Sequence, residues 1–152
     1  MMGCDGVSRF SVEVERELVA AGWRPGRMID IEPWRHRLES SGFQMHAAAD
    51  LFLTEFGGLV VKIDGPGISC ARVPFELDPT LADGEDDRFS EWGQEINDSI
   101  FPIGELDGGR YFLGISSSGE MYIVADWLAS LGAGVEALER LILGIAADVV
   151  RE

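Results

Sequence analysis

The sequence predicts an α+β fold in a single domain, with N-terminal helices and a C-terminal helix packed around a mostly antiparallel sheet. Three observations carry this expectation. Apolar residues recur at spacings of three and four in the first third of the chain and again near its end. Between those blocks, short β-branched and aromatic runs are separated by Gly, Pro, Asp and Ser turn chemistry, as in consecutive hairpins. Strands gathered in one block between helical blocks argue against the strict alternation of a parallel βαβ sheet.

Ser11 is placed as the N-cap of the first helix, Glu13 and Glu15 sit where the helix dipole favours anions, and Val14, Leu18 and Ala21 form its apolar stripe. Gly22 and Pro25 end it. A second helix is expected to begin within Asp30 to Pro33, to bury Trp34 and Leu38, and to close at Gly42. A third carries Ala48, Leu51, Phe52 and Phe56 on its inner stripe and stops at Gly57-Gly58. The period then changes: Leu59 to Ile63 reads as a strand, Asp64-Gly65-Pro66-Gly67 as a turn and Ile68 to Phe75 as the returning strand. After a polar stretch from Glu76 to Glu85, Phe89, Trp92 and Ile96 mark a fourth helix despite Gly93. Ile100 to Ile103, Tyr111 to Ser116 and Glu120 to Ala125 then form a meander. The last helix holds Leu138, Leu141, Ile142, Ile145 and Val149 on one face.

A chain of 152 residues falls in the range of one domain and can bury a core without staples. We assign the domain to residues 10–150 and read residues 1–9 as a flexible N-terminus. Hydrophobic residues are 46% and charged residues 26%, which is globular composition. With 12 Lys and Arg against 27 Asp and Glu, the formal charge is −15. Nucleic-acid affinity rests on cations that displace condensed counterions, so direct DNA or RNA binding is not expected. The same field would speed encounter with a basic protein. Cys4 and Cys70 imply no disulfide framework, and Cys70 is expected on a buried strand. Met1 to Val7 lacks the basic region and apolar run of a secretory signal, and no segment approaches the roughly 18 apolar residues of a membrane span. A cytoplasmic location is therefore expected.

Catalytic and cofactor motifs are incomplete. His36 and His46 have no Cys or second His at ligand spacing, and both read as surface or boundary residues. Gly114 to Gly119 encloses three serines, one too many for a nucleophile elbow, and reads as a hairpin loop. Gly132-Ala133-Gly134-Val135-Glu136-Ala137 fits the permissive dinucleotide fingerprint and opens a helix. That fingerprint needs a strand running into it and a second acidic-ended strand about 20 positions on, which the sequence does not offer. Lys62 is the only lysine, which removes most lysine-based phosphate or Schiff-base chemistry. Asp83, Glu85 and Asp87 alternate like the start of a calcium loop, but Arg88 and Gln94 occupy its Gly and Glu positions. No cofactor, metal or catalytic residue is assigned.

What remains is charge. Asp83, Glu85, Asp86, Asp87, Glu91, Glu95 and Asp98 stand together against one cation, Arg88, with Phe89 and Trp92 among them. A solvated loop and outer helix face is one reading of this segment. An acidic docking surface, steering a cationic partner around an aromatic centre, is the other. Trp92 shares a stripe with Phe89 and Ile96 and is expected to face the core.

Several segments, in order, resemble the SUKH superfamily and specifically its type-three immunity subgroup. These are Phe10-Ser11-Val12-Glu13-Val14, Ala21-Gly22-Trp23-Arg24-Pro25-Gly26-Arg27 and Phe52-Leu53-Thr54-Glu55-Phe56-Gly57-Gly58-Leu59, followed by Phe75-Glu76-Leu77-Asp78-Pro79, Phe101-Pro102-Ile103-Gly104-Glu105 and the helix around Glu136-Ala137-Leu138. The Gly-Trp-x-Pro-Gly-Arg and Glu-Phe-Gly-Gly pieces are the most specific. The resemblance implies an α+β domain without catalytic residues, made in bacteria beside a polymorphic toxin whose toxic domain it binds and neutralises. The expected partner is that cognate toxin domain, a basic protein such as a nuclease, with no nucleic acid or membrane bound directly. Two rivals stand beside this reading: a regulatory or scaffolding domain of the same fold, and an uncharacterised enzyme or small-molecule binder. The latter predicts a pocket with converging, pKa-perturbed groups.

Overall fold

A computed structural model describes residues 9–152, so the expectations for residues 1–8, Cys4 included, lie outside the described residues. The expected fold class is the observed one. Three helices, α1 (Val12–Ala21), α2 (Glu32–Ser40) and α3 (Ala47–Phe56), precede strands β1 (Val60–Val61) and β2 (Phe75–Glu76). A 3₁₀ turn over Pro79–Ala82 leads into α4 (Asp86–Ile96). Then follow β3 (Ile100–Leu106), β4 (Tyr111–Ser116), β5 (Glu120–Val124), β6 (Leu128–Ala133), α5 (Val135–Leu143) and β7 (Asp148–Arg151). The sheet order is β1-β2-β3-β4-β5-β6-β7, and every neighbouring pair is antiparallel. Helix α4 packs on β3, α3 on β3 and β4, and α5 on β6 and α1, while α2 packs on the 3₁₀ turn.

Local chemistry explains the helix boundaries. Ser11 Oγ accepts from Val14 N, and the Gly22 amide returns to Leu18 and Val19 carbonyls. His46 caps α3 by accepting from Ala49 N at 3.2 Å through Nδ1, which leaves Nε2 to donate to Ile115 O at 3.1 Å. One imidazole thus starts α3 and ties it to β4. At the other end of α3, Glu55 gathers the two most specific family-like segments. Its carboxylate accepts from Trp23 Nε1 at 3.1 Å and pairs with Arg9, while its backbone oxygen accepts from Arg27 Nη1 at 2.6 Å. Phe10 meets Trp23 edge-on at 5.5 Å and Phe56 at 6.1 Å beneath this junction. Gly57 follows because a Cβ there would lie 2.5 Å from the Trp34 ring.

Several expectations are corrected. The buried stripe of α3 is Ala49, Leu53 and Phe56, with Leu51 73% exposed. Its sequence is apolar on two faces, and the His46 cap and Glu55 junction fix which one turns inward. The hairpin over Leu59 to Phe75 pairs only Val60–Val61 with Phe75–Glu76, apart from an isolated Pro66–Ala71 bridge. Its amides serve α5 instead: Ile68 N donates to Leu143 O, and Ser69 N and Cys70 N donate to Gly144 O. Cys70 is consequently exposed. The last helix ends at Leu143, so Ile145 lies in the following connection and Val149, 59% exposed, belongs to β7. Strand β6, which the sequence reading missed, does run directly into Gly132-Ala133-Gly134. Both neighbours of β6 are antiparallel, so the parallel crossover that a dinucleotide site requires is not built there.

Gly144 stands at a close contact of this arrangement. It has φ +72°, and an added Cβ would stand 2.7 Å from both Cys70 O and Gly67 Cα. Gly144→Ala is expected to cost about 2 kcal/mol or more, from strain and overpacking together; an unchanged denaturation midpoint would mean that the loop does not rest on α5. Glu105 lies directly opposite Glu76 across β2 and β3, and burial, then Glu76, then Asp78 hold its carboxyl above the ordinary range. Its ionised form therefore opposes folding at neutral pH. Glu105→Gln should raise stability, by up to about 1 kcal/mol for a like-charge cross-strand pair, and equilibrium unfolding with and without the substitution measures it.

Candidate functional site

The acidic segment folds as the end of the 3₁₀ turn, a glycine turn and α4. Asp86 and Asp87 fall in the first helical turn, where exposed amides favour anions. Phe89 anchors the helix: it is fully buried, 5.6 Å from Phe43 and 6.1 Å from Phe112. Burying such a ring contributes roughly 1.5–3 kcal/mol. Trp92 is half-buried, and its Nε1 donates to Ala125 O at 2.9 Å. It packs against the core, as expected, and also presents part of its ring at the surface.

The seven carboxylates divide by what holds them. Asp83 pairs with Arg37 at 2.6 Å and accepts from Ser41 Oγ at 3.3 Å, tying the 3₁₀ turn to α2. Glu85 pairs with Arg88 at 3.0 Å, and Arg88 reaches on to Asp126 at 3.3 Å. Glu95 pairs with Arg151 of β7 at 3.2 Å. Asp98 accepts from Ser99 N at 2.7 Å, Ser118 Oγ at 3.1 Å and the Ser117 hydroxyl. Burial pushes the Asp98 carboxyl up, but the hydrogen bonds from Ser117, Ser99 and Ser118 together bring it below its ordinary value. Among the described residues, no cation lies within ion-pair distance of Asp86, Asp87 or Glu91.

Helix α4 forms a ridge between open depressions. On one side, about 500 Å³ opens between α4 and the Gly42–Gln44 connection, with Asp86 and Asp98 at its border and Phe43 and Phe89 among its lining. On the other side, two hollows of about 420 and 430 Å³ both touch Glu91 and Trp92. Their carboxylates are Glu85, Asp87, Glu91, Asp126, Glu95 and Glu152, against the guanidiniums of Arg88 and Arg151. Sequence reasoning missed Asp126, Arg151 and Glu152 here. The first sits between β5 and β6 and the other two at β7, and only the sheet brings them beside α4.

The remaining singled-out residues have structural roles. His36 is exposed, and His46 is the α3 cap. Asp83 turns to Arg37 and Glu85 to Arg88 rather than converging with Asp87, and among the described residues no group of three or more His, Cys, Asp and Glu could hold a metal ion. The three-serine loop is the β4–β5 turn, and two of its hydroxyls serve Asp98. Among the described residues no helix is long and apolar enough to cross a membrane.

A helix-faced antiparallel meander, with a run of carboxylates along α4, defines the class of this molecule as an acidic α+β domain. The family model described as SUKH-3 immunity protein matches residues 10–144, and the chain belongs to that family. Membership implies an immunity protein with a cognate toxin protein as its partner. No match was found among curated proteins or among solved structures.

Because Asp98 is held below its ordinary 3.8 in the folded chain, its ionised form stabilises the fold at neutral pH. That contribution is complete above the ordinary carboxylate value and disappears as pH falls through the lower folded-state value. Asp98→Asn should therefore unfold at lower denaturant concentration than wild type at neutral pH, with the gap closing on acidification below 3.8. A gap that does not change with pH would assign the effect to hydrogen bonding without ionisation.

Proposed function

We propose that this protein neutralises a cognate toxin by binding it stoichiometrically through the α4 face, making and breaking no covalent bond. The observation that carries the reading is the family match over residues 10–144. The charge of −15 adds the partner's chemistry: a basic toxin, such as a nuclease whose own substrate is anionic, meets this surface quickly. The protected compartment is the cytoplasm of the producing bacterium. Ridge and hollows supply shape, Trp92 supplies burial near the centre, and Asp86, Asp87 and Glu91 supply charge that pairs with no cation among the described residues. Asp83 and Asp98 act chiefly in holding the fold, while Glu85 and Glu95 can exchange their exposed internal pairs for a partner's cations, since such pairs hold weakly.

Co-expression with the C-terminal toxin domain encoded by the neighbouring gene tests the binding itself, with a one-to-one complex and restored growth as the expected result. Reversing Asp86, Asp87, Glu91 and Glu95 to lysine should slow association by about tenfold or more and flatten its salt dependence. Folding should persist, because three of these side chains are exposed and Asp86 is half-buried. Unchanged association kinetics would remove α4 from the interface and leave the neutralising role to another surface.

A further inference from the structure

We propose that the hollow bounded by α1, α5 and the connection over residues 62–74 seats an acidic side chain of a protein partner on Arg72 and Arg16. The inference lies away from the α4 face and stands without the toxin-binding reading. The hollow is about 390 Å³, and its three walls are fastened to one another. Helix α1 is held by its buried Val14 and Leu18 and packs on α5. The connection rests on the end of α5, because Ile68 N donates to Leu143 O and Ser69 N to Gly144 O. Arg72 N then closes its turn by donating to Gly65 O at 2.9 Å. Arg16 on α1 and Arg72 on the connection therefore line one preformed hollow.

Two observations point to an anion. Acidic residues outnumber Lys and Arg by 27 to 12, yet among the described residues Arg16, Arg24 and Arg72 are arginines whose side chains have neither a hydrogen bond nor an ion pair. Two of these three line this one hollow. Arg72 Nε is also the only sealed side-chain nitrogen or oxygen among the described residues without a partner. The guanidinium lies against the Gly65 turn, its Nη2 3.7 Å from where a Cβ of residue 65 would stand. Partial removal of this cation from water is therefore not offset by any group of the chain. A carboxylate meeting the Nη groups, which are not sealed, offsets it through charge-assisted bonds. Phosphate is disfavoured, because Glu13 and Glu17 line the same hollow and cancel the two guanidiniums, which leaves a dianion facing the overall charge of −15. A protein is favoured as the carrier, because Ile68, 70% exposed, and Leu143 add apolar surface beside the charges for a flanking aliphatic side chain to cover.

The full-length ¹⁵N-labelled protein would be titrated with the N-acetylated, C-amidated peptide Leu-Glu-Leu, with the Leu-Gln-Leu peptide, acetate and inorganic phosphate as controls. The Arg72 Nε–H resonance is assigned by its loss in Arg72→Lys. The acidic peptide should shift that resonance and the Gly67 and Ile68 amides saturably. The glutamine peptide should not, and acetate and phosphate should bind at least about threefold more weakly, the scale of a modest surface contribution. Arg16→Gln should weaken peptide binding at least about threefold, the scale of one exposed ion pair, and Arg72→Lys, followed through the two amides, at least as much. Arg24→Gln should leave it unchanged. Arg16 is exposed, so its variant decides the matter even where Arg72→Lys lowers the thermal midpoint. Equal shifts with the glutamine peptide or phosphate, an equal loss in Arg24→Gln, or undiminished binding by Arg16→Gln would overturn the seat. Acetate as effective as the peptide would mean a simple anion site and overturn the protein occupant. Failure to capture a toxin domain bears on the toxin reading alone, since this titration uses none.

Discussion

The fold depends on the junction at Glu55, where a single residue holds three separate pieces of the chain. Its carboxylate takes the Trp23 indole and Arg9, and its carbonyl takes Arg27, so the exit of α1 is fastened to the end of α3. Hydrogen bonds to a charged group contribute roughly 1.5–3 kcal/mol each, and here they also specify direction. Because Trp34 then closes against Gly57, α2 is set in the same stroke. The chain leaves this corner into β1 with its registration decided, and His46 clamps the far end of α3 to β4. The family-like motifs are therefore fold positions that meet in space, and the acidic helix is not among them.

That separation matters for how the negative charge is used. A net charge of −15 works against compaction, and the protein answers by pairing selectively. Carboxylates that join elements, such as Asp83 between the 3₁₀ turn and α2, are matched with arginines or hydroxyls. Those on the outer face of α4 are matched only partly, by Arg88 and Arg151, through exposed contacts that are weak and salt-sensitive. The repulsion left along this ridge can act on another molecule, as can that of Glu13, Glu15 and Glu17 on α1, which are unpaired among the described residues.

The legible parts of the fold are those written in local chemistry. Ser11 and Gly22 bound α1 as read, and the Tyr111–Ser116 strand and its serine turn were recoverable from alternation and turn residues. Strand β6 was not, because Leu-Ala-Ser-Leu-Gly-Ala has no β-branched residue and is made a strand by β5 and β7 on either side. Strand β7 was hidden because Ile145 and Val149 continue the helical spacing of α5 past Gly144, which is the true stop. In α3 both faces are apolar, so burial of Leu53 over Leu51 was decided by contacts from distant sequence. The acidic segment was visible as composition. Its division into structural and free carboxylates was not, since Arg37, Arg151 and the serines of the β4–β5 turn arrive from elsewhere.

A surface meant to bind must be stiff without being committed to the core, and α4 meets both conditions by different side chains. Phe89 and the Trp92 indole bond fix the helix from beneath, and Gly93 lets it lie close to the Asp98 carbonyl, which a Cβ would approach to 2.6 Å. Stiffness lowers the conformational entropy lost on docking. The outward residues Asp87, Ser90, Glu91, Gln94 and Glu95 are all exposed, so their identity bears little on stability. Recognition can therefore be tuned along this ridge almost independently of the fold, whereas the same latitude does not exist at Glu55, whose carboxylate and carbonyl are both engaged, or at Gly57 and Gly144, where a Cβ would collide.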